Sequence, residues 1–227
     1  MKEKIGVVSH GFDDVTMEVS MNKGSHISLA YYLLDREELS QLKLHKKAFL
    51  VGSILPDCLP SFLTTRHTIT ETYNLLQSEI RKISKSYHKN RGISNYFCIH
   101  LGIIMHYLAD YFTMPHNPGY YGSVKGHVEY EKELWISIRR YIEEEACYMK
   151  QEMVIEEGFI CLNNQDDIHK NLSEYLLLLH KEYQSEVQDL LTDCKYIVKV
   201  CYTAALALVR YLSRDQLPQE LAREYVA

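Results

Sequence analysis

The chain has 227 residues, 46% of them hydrophobic and 24% charged, with a formal net charge of −5. That composition excludes a disordered chain, the charge offers nucleic acid no overall electrostatic footprint, and the length suits a single sizeable core. Six cysteines, none in a C-x-x-C pair, read as reduced thiols rather than a disulfide framework.

The opening stretch MKEKIGVVSHGFDDV lacks the apolar block of a signal peptide, and no apolar run approaches the ~20 residues of a membrane span. A cytoplasmic protein without a transmembrane segment is therefore expected. Glycine (10) and proline (5) are scarce, and apolar residues recur at helical spacing. The pattern predicts helices near 26–35, 39–52, 66–87, 93–113, 124–156, 166–189 and 192–214. Ser25 is a candidate cap for the first, and Ser94 or Asn95 for the fourth. Turns are expected at 55–60, 89–92, 114–122 and 161–167. No strand alternation, repeat or linker stands out, so residues 1–227 read as one all-α domain.

The stretch MHYLADYFTMPHN (105–117) sets two histidines and an aspartate among apolar and aromatic residues. His106 and Asp110 are four apart, on one helical face, and so are His127 and Glu131. An imidazole nitrogen beside a carboxylate oxygen supplies two ligands for zinc. His116 lies between the pairs, just past Pro115, and upstream lie His26, Asp57 and His67. A buried carboxylate needs a counter-charge. No lysine or arginine occurs between Asn95 and Ser123, which leaves a metal cation as the obvious one. His10, His45, His88, His100, His169 and His180 read as surface or satisfied core residues.

These motifs resemble the zinc-dependent phospholipase C family, all-helical enzymes with a trinuclear zinc site. The resemblance rests on GSH (24–26), GSILPD (52–57), His67, H-Y-L-A-D-Y-F-x-x-P-H-N (106–117) and H-x-x-x-E (127–131), in the family's order. It implies a single-domain multi-helix bundle of the zinc-dependent phospholipase C and zinc nuclease type, holding two or three zinc ions. Asp57, His67, His106 and Asp110 would hold one zinc. Asp110 would bridge to a second, bound also by His26. His116, His127 and Glu131 would hold the third. Residues 26–131 would thus build the centre, with the helices after 150 as scaffold. Zinc-activated water, its pKa lowered toward ~7, would attack the phosphorus of a phospholipid or other phosphodiester, with Asp57 as general base. The family's second zinc uses an N-terminal tryptophan. Trp135 is the only tryptophan here, and His10, Asp13 or Asp14 are candidates to replace that ligand.

Two other functions compete: a zinc nuclease-like phosphodiesterase acting on a soluble substrate, and a non-catalytic protein in which zinc ties helices together. The net charge of −5 counts against nucleic acid as partner. RKISKSYHKNR (81–91) carries five Lys/Arg and reads as a solvated helix end, with peripheral contact to an anionic membrane as its functional alternative. The helical phosphohydrolases with adjacent His-Asp ligands are excluded, because the chain has no His-Asp dipeptide.

Overall fold

A computed structural model describes residues 23–59, 65–86, 92–144 and 168–214, and among these there are helices and no strand. In chain order they are α1 (Gly24–Asp35), a 3-10 helix (Glu37–His45), α2 (Lys46–Ile54), a 3-10 turn (Pro56–Cys58), α3 (Ile69–Ser86), α4 (Asn95–Tyr111), a 3-10 turn (Met114–His116), α5 (Val124–Glu144), α6 (Ile168–Ser185) and α7 (Leu190–Arg214). The chain is all-α, as its periodicity predicts.

Helix α4 is the central element. Twelve of its 17 residues are buried, so it is apolar nearly all round, as a helix enclosed by others must be. It packs against α2, α3, α1 and α7, while α5 closes the bundle against α1 and α7. The side chain of Ser94 caps α4, accepting from the Phe97 N–H at 3.2 Å, as one of the two sequence candidates predicts. The Cys194 and Cys201 side chains lie in the core of α7. Among the described residues, no helix is long and apolar enough to cross a membrane.

Three local differences from the sequence-based expectation have physical causes. The helix expected from 39 begins instead as 3-10 backbone and becomes α-helical at Lys46. Leu39 and Leu42 are both fully buried, and their three-residue spacing matches the three-residue turn of a 3-10 helix. Helix α1 begins at Gly24 with Lys23 as its cap residue and no side-chain cap bond, so Ser25 lies inside the helix and does not cap it. The third long helix begins at Ile69, not 66, because Thr68 caps it: Glu71 N–H donates to Thr68 Oγ1 at 3.3 Å, and Arg66 N–H to the Glu71 carboxylate at 2.9 Å. His67 is therefore held outside the helix. The expected extension of α5 to 156, His10, Asp13, Asp14, His88, Cys147 and Cys161 fall outside the described residues. Of the basic stretch, Arg81, Lys82 and Lys85 are exposed at the end of α3, and 87–91 lie outside the described residues.

Candidate metal centre

The centre is built on a close approach of α2 to α4. A Cβ on Gly52 would sit 2.1 Å from the Ile99 carbonyl oxygen, and one on Gly102 would sit 2.5 Å from the Phe49 carbonyl oxygen. Only glycine permits this contact. It delivers the Ser53 carbonyl to His106, whose Nδ1–H donates to it at 3.0 Å. A carbonyl can only accept, so Nδ1 carries the proton and the Nε2 lone pair faces the other way. The Ser53 hydroxyl in turn donates to the Phe49 carbonyl at 2.9 Å.

Around His106 Nε2 lie Asp57 Oδ1 at 3.4 Å, Asp110 Oδ2 at 3.2 Å and His67 Nδ1 at 3.1 Å. His67 Nδ1 is 2.9 Å from Asp110 Oδ2 and 3.7 Å from Asp57 Oδ1. The 3-10 turn after α2 presents Asp57, and the segment just before α3 presents His67. The other Asp110 oxygen, Oδ1, lies 3.3 Å from His26 Nε2 on α1, and the His26 ring stacks on His106 with centroids 4.0 Å apart.

A third group adjoins these. On α5, His127 Nε2 is 2.8 Å from Glu131 Oε1, and His116 Nε2, on the 3-10 turn after α4, is 3.7 Å from the same oxygen. His116 and His67 have ring centroids 6.4 Å apart, so the groups are neighbours. A cleft joins His26 and Asp110 to His116 and Glu131, with Leu29, Leu134, Ile138 and Ile197 as its apolar wall.

The charges of these groups are coupled. Burial pushes Asp57 up, but His106 beside it outweighs that and holds the carboxyl below its usual value. Asp110 is likewise pushed up by burial, yet His106, His116 and His26 hold it well below the carboxylate range. Conversely, burial lowers His106, but Asp110 and Asp57 raise it well above the usual imidazole value. His116 is raised against burial by Asp110 and Glu131, and Glu131 is lowered against burial by hydrogen bonds from His116 and His127. Without a cation, imidazolium protons supply the positive charge that the carboxylates require.

The residues fit divalent metal better than protons. Donor atoms gather in three sets, the atoms of each set lying within 4.8 Å of one another: His26, His106 and Asp110; Asp57, His67 and His106; His116, His127 and Glu131. Glu131 Oε2 is buried and has no hydrogen-bond partner among the described residues, which is costly for a carboxylate oxygen unless something else takes its lone pairs. Imidazole nitrogen mixed with carboxylate oxygen is the donor chemistry of zinc.

His26, Asp57, His67, His106, Asp110, His116, His127 and Glu131, the residues expected to hold zinc, all lie in this cluster, whereas the replacement candidates His10, Asp13 and Asp14 lie outside the described residues. Cys58 is exposed and in none of the three groups. Trp135 packs on Gly24 and donates through its indole N–H to Ser28 Oγ at 3.2 Å, bracing α1 against α5. Sequence reasoning missed a set of supporting side chains. Asn117 donates to the Tyr111 and Thr113 carbonyls and bonds His180 at 2.8 Å, which satisfies the buried His180 ring as expected. Asp193, on α7, accepts from the Met114 N–H at 2.7 Å and from the Tyr130 and Tyr183 hydroxyls, both at 2.8 Å. Burial raises the Asp193 carboxyl to about 6 against the pull of those three donors.

An all-helical bundle with adjoining imidazole–carboxylate groups able to hold metal ions is the class of protein that this fold and cluster define. Residues 25–190 match the sequence model of the family described as zinc dependent phospholipase C, and the chain belongs to that family. No curated protein and no solved structure gives a match.

Proposed function

We propose that the chain is a zinc-dependent phosphodiester hydrolase of the phospholipase C type, acting on a phospholipid or another phosphodiester. The observation that carries this reading is the meeting of three adjoining donor groups, two of which have His106 in common, with Asp110 facing His26 through Oδ1 and His67 and His106 through Oδ2. In this reading Asp57, His67, His106 and Asp110 hold one zinc through Oδ1, Nδ1, Nε2 and Oδ2. Asp110 Oδ1 and His26 Nε2 contribute to a second. His116, His127 and Glu131 would hold a third. Bound zinc would supply Lewis acidity, making water acidic enough to ionise near pH ~7 and offsetting charge on the phosphate oxygens.

The chain's own residues then have separate tasks. Ser53 fixes the His106 tautomer. Asp110 holds two groups at a set separation through its two oxygens. Asp57 is the general base: its carboxyl sits below the usual range and is ionised at neutral pH, and its turn leads to the exposed Cys58 and Leu59, where substrate has access. The apolar wall of Leu29, Leu134, Ile138 and Ile197 excludes water from the far side of the cleft and strengthens the electrostatic interactions within it. One observation favours a structural role for zinc instead: His26 brings only Asp110 with it once His106 Nε2 is committed to the first group.

Metal analysis of the purified chain, followed by a panel of bis-p-nitrophenyl phosphate, short-chain phospholipids and single-stranded DNA, tests the proposal. The expected result is two or three zinc per chain and turnover of the phospholipids, abolished by a chelator. Fewer than one zinc per chain would end the reading. Full zinc content with no turnover of any substrate would make the centre structural.

A further inference from the structure

We infer that Asp193 is a positioning residue for the third donor group, setting the separation between His116 on its turn and His127 and Glu131 on α5. This rests on the reading of that group as a zinc site. The group draws its side chains from two elements, the Met114–His116 turn and α5. A single oxygen, Asp193 Oδ2, accepts from both: the Met114 N–H that opens the turn at 2.7 Å, and the hydroxyl of Tyr130, the residue before Glu131, at 2.8 Å. Its other oxygen accepts from Tyr183 on α6 at 2.8 Å, which fixes the carboxylate's rotation. Asp193 is fully buried, and hydrogen bonds to an ionised acceptor are shorter and stronger than neutral ones. The carboxylate therefore works as a rigid clip between two ligand-bearing elements, at one remove from the ligands. It also lies outside residues 25–190, which match the family.

Groups that orient metal ligands typically change metal affinity 10–100-fold when removed. Zinc release from the full chain, followed by competition with a chromophoric chelator, tests the inference. Tyr130→Phe removes one hydroxyl and opens no cavity. Asp193→Leu keeps the approximate size and offers no acceptor to either element. Each is expected to loosen one zinc equivalent by about 10–100-fold and leave the remainder at wild-type affinity. Tyr183→Phe cuts only the anchor on the other oxygen and is expected to weaken that equivalent less than Tyr130→Phe does. The inference is overturned if Tyr130→Phe and Asp193→Leu lower Tm yet keep every equivalent at wild-type affinity, or if Tyr183→Phe loosens zinc as much as Tyr130→Phe. His116→Ala separates the two levels of argument. It should lose the same equivalent outright; if it keeps all zinc, the third group is no zinc site and this inference falls with that reading.

Discussion

His106 donates through Nδ1 to the main-chain oxygen of Ser53 at 3.0 Å, and this one bond decides which ring nitrogen faces Asp57, His67 and Asp110. The donor and acceptor belong to different helices, so the tautomer of a central ligand depends on how closely α2 and α4 pack.

That dependence makes Gly52→Ala informative. The new methyl would lie 2.1 Å from the Ile99 carbonyl oxygen, a backbone atom that cannot swing aside, so α2 must move away from α4. Overpacking of this kind costs about 1–3 kcal/mol. Ser53 and Asp57 would move with the helix, so loss of zinc from the first group should accompany the loss of stability. Zinc stoichiometry and Tm, measured together, check this. A variant with wild-type zinc content would show that the approach of the helices does not set the site.

Asp57→Asn separates ligand from base. Three other donors remain in the first group, so zinc content should be nearly unchanged, while turnover falls about 10²–10⁴-fold, the usual contribution of a general base. Zinc loss in proportion to activity would leave Asp57 as a ligand only.

The pairs His106–Asp110 and His127–Glu131 were legible in the sequence because helical periodicity alone puts residues four apart on one face. His116 was legible as a turn residue from Pro115, which lies in the 3-10 turn after α4. What joins these pieces was not legible. The glycine contact between α2 and α4 depends on which helices pack together, and the bonds from Asp193 to Met114 and Tyr130 span 79 and 63 residues. The single acid of α7, in its first turn, carries no mark of its partners. The 3-10 backbone at Glu37–His45 was hidden because Leu39 and Leu42, three apart, fit an α-helix nearly as well.

The coupled charges give the metal-free chain a pH optimum. His106 and His116 are raised, so their protonated forms favour the fold. That contribution is complete below the ordinary imidazole value of 6.5 and is lost as pH rises through the raised values. Asp57, Asp110 and Glu131 are lowered from 3.8, 3.8 and 4.5. Their contribution is present above those values and is lost as pH falls through the lowered ones. In a chelator, Tm should therefore peak between about pH 5 and 6.5 and decline on the alkaline side, by roughly 2–4 °C per kcal/mol lost. Zinc needs deprotonated imidazoles, so the gain in Tm on adding zinc should widen over the same alkaline range. A metal-free Tm that stays level from about pH 6 to 9 would contradict the charge coupling.

Gly24→Ala probes the placement of His26. A Cβ there would lie 2.8 Å from Trp135 Cδ2. The indole cannot yield freely, because its N–H is committed to Ser28 Oγ at 3.2 Å. The methyl should therefore push the first turn of α1 away from α5, carrying His26 from its place 3.3 Å from Asp110 Oδ1. The first and third groups take no ligand from α1, so their zinc should stay while any second zinc is lost. Replacing Trp135 by leucine in the same chain removes the obstruction and should restore that zinc, because the loss comes from a clash and not from a changed ligand. Zinc per chain for the single and the double variant decides it. An equal deficit in both would mean that the Gly24–Trp135 contact does not hold His26 in register.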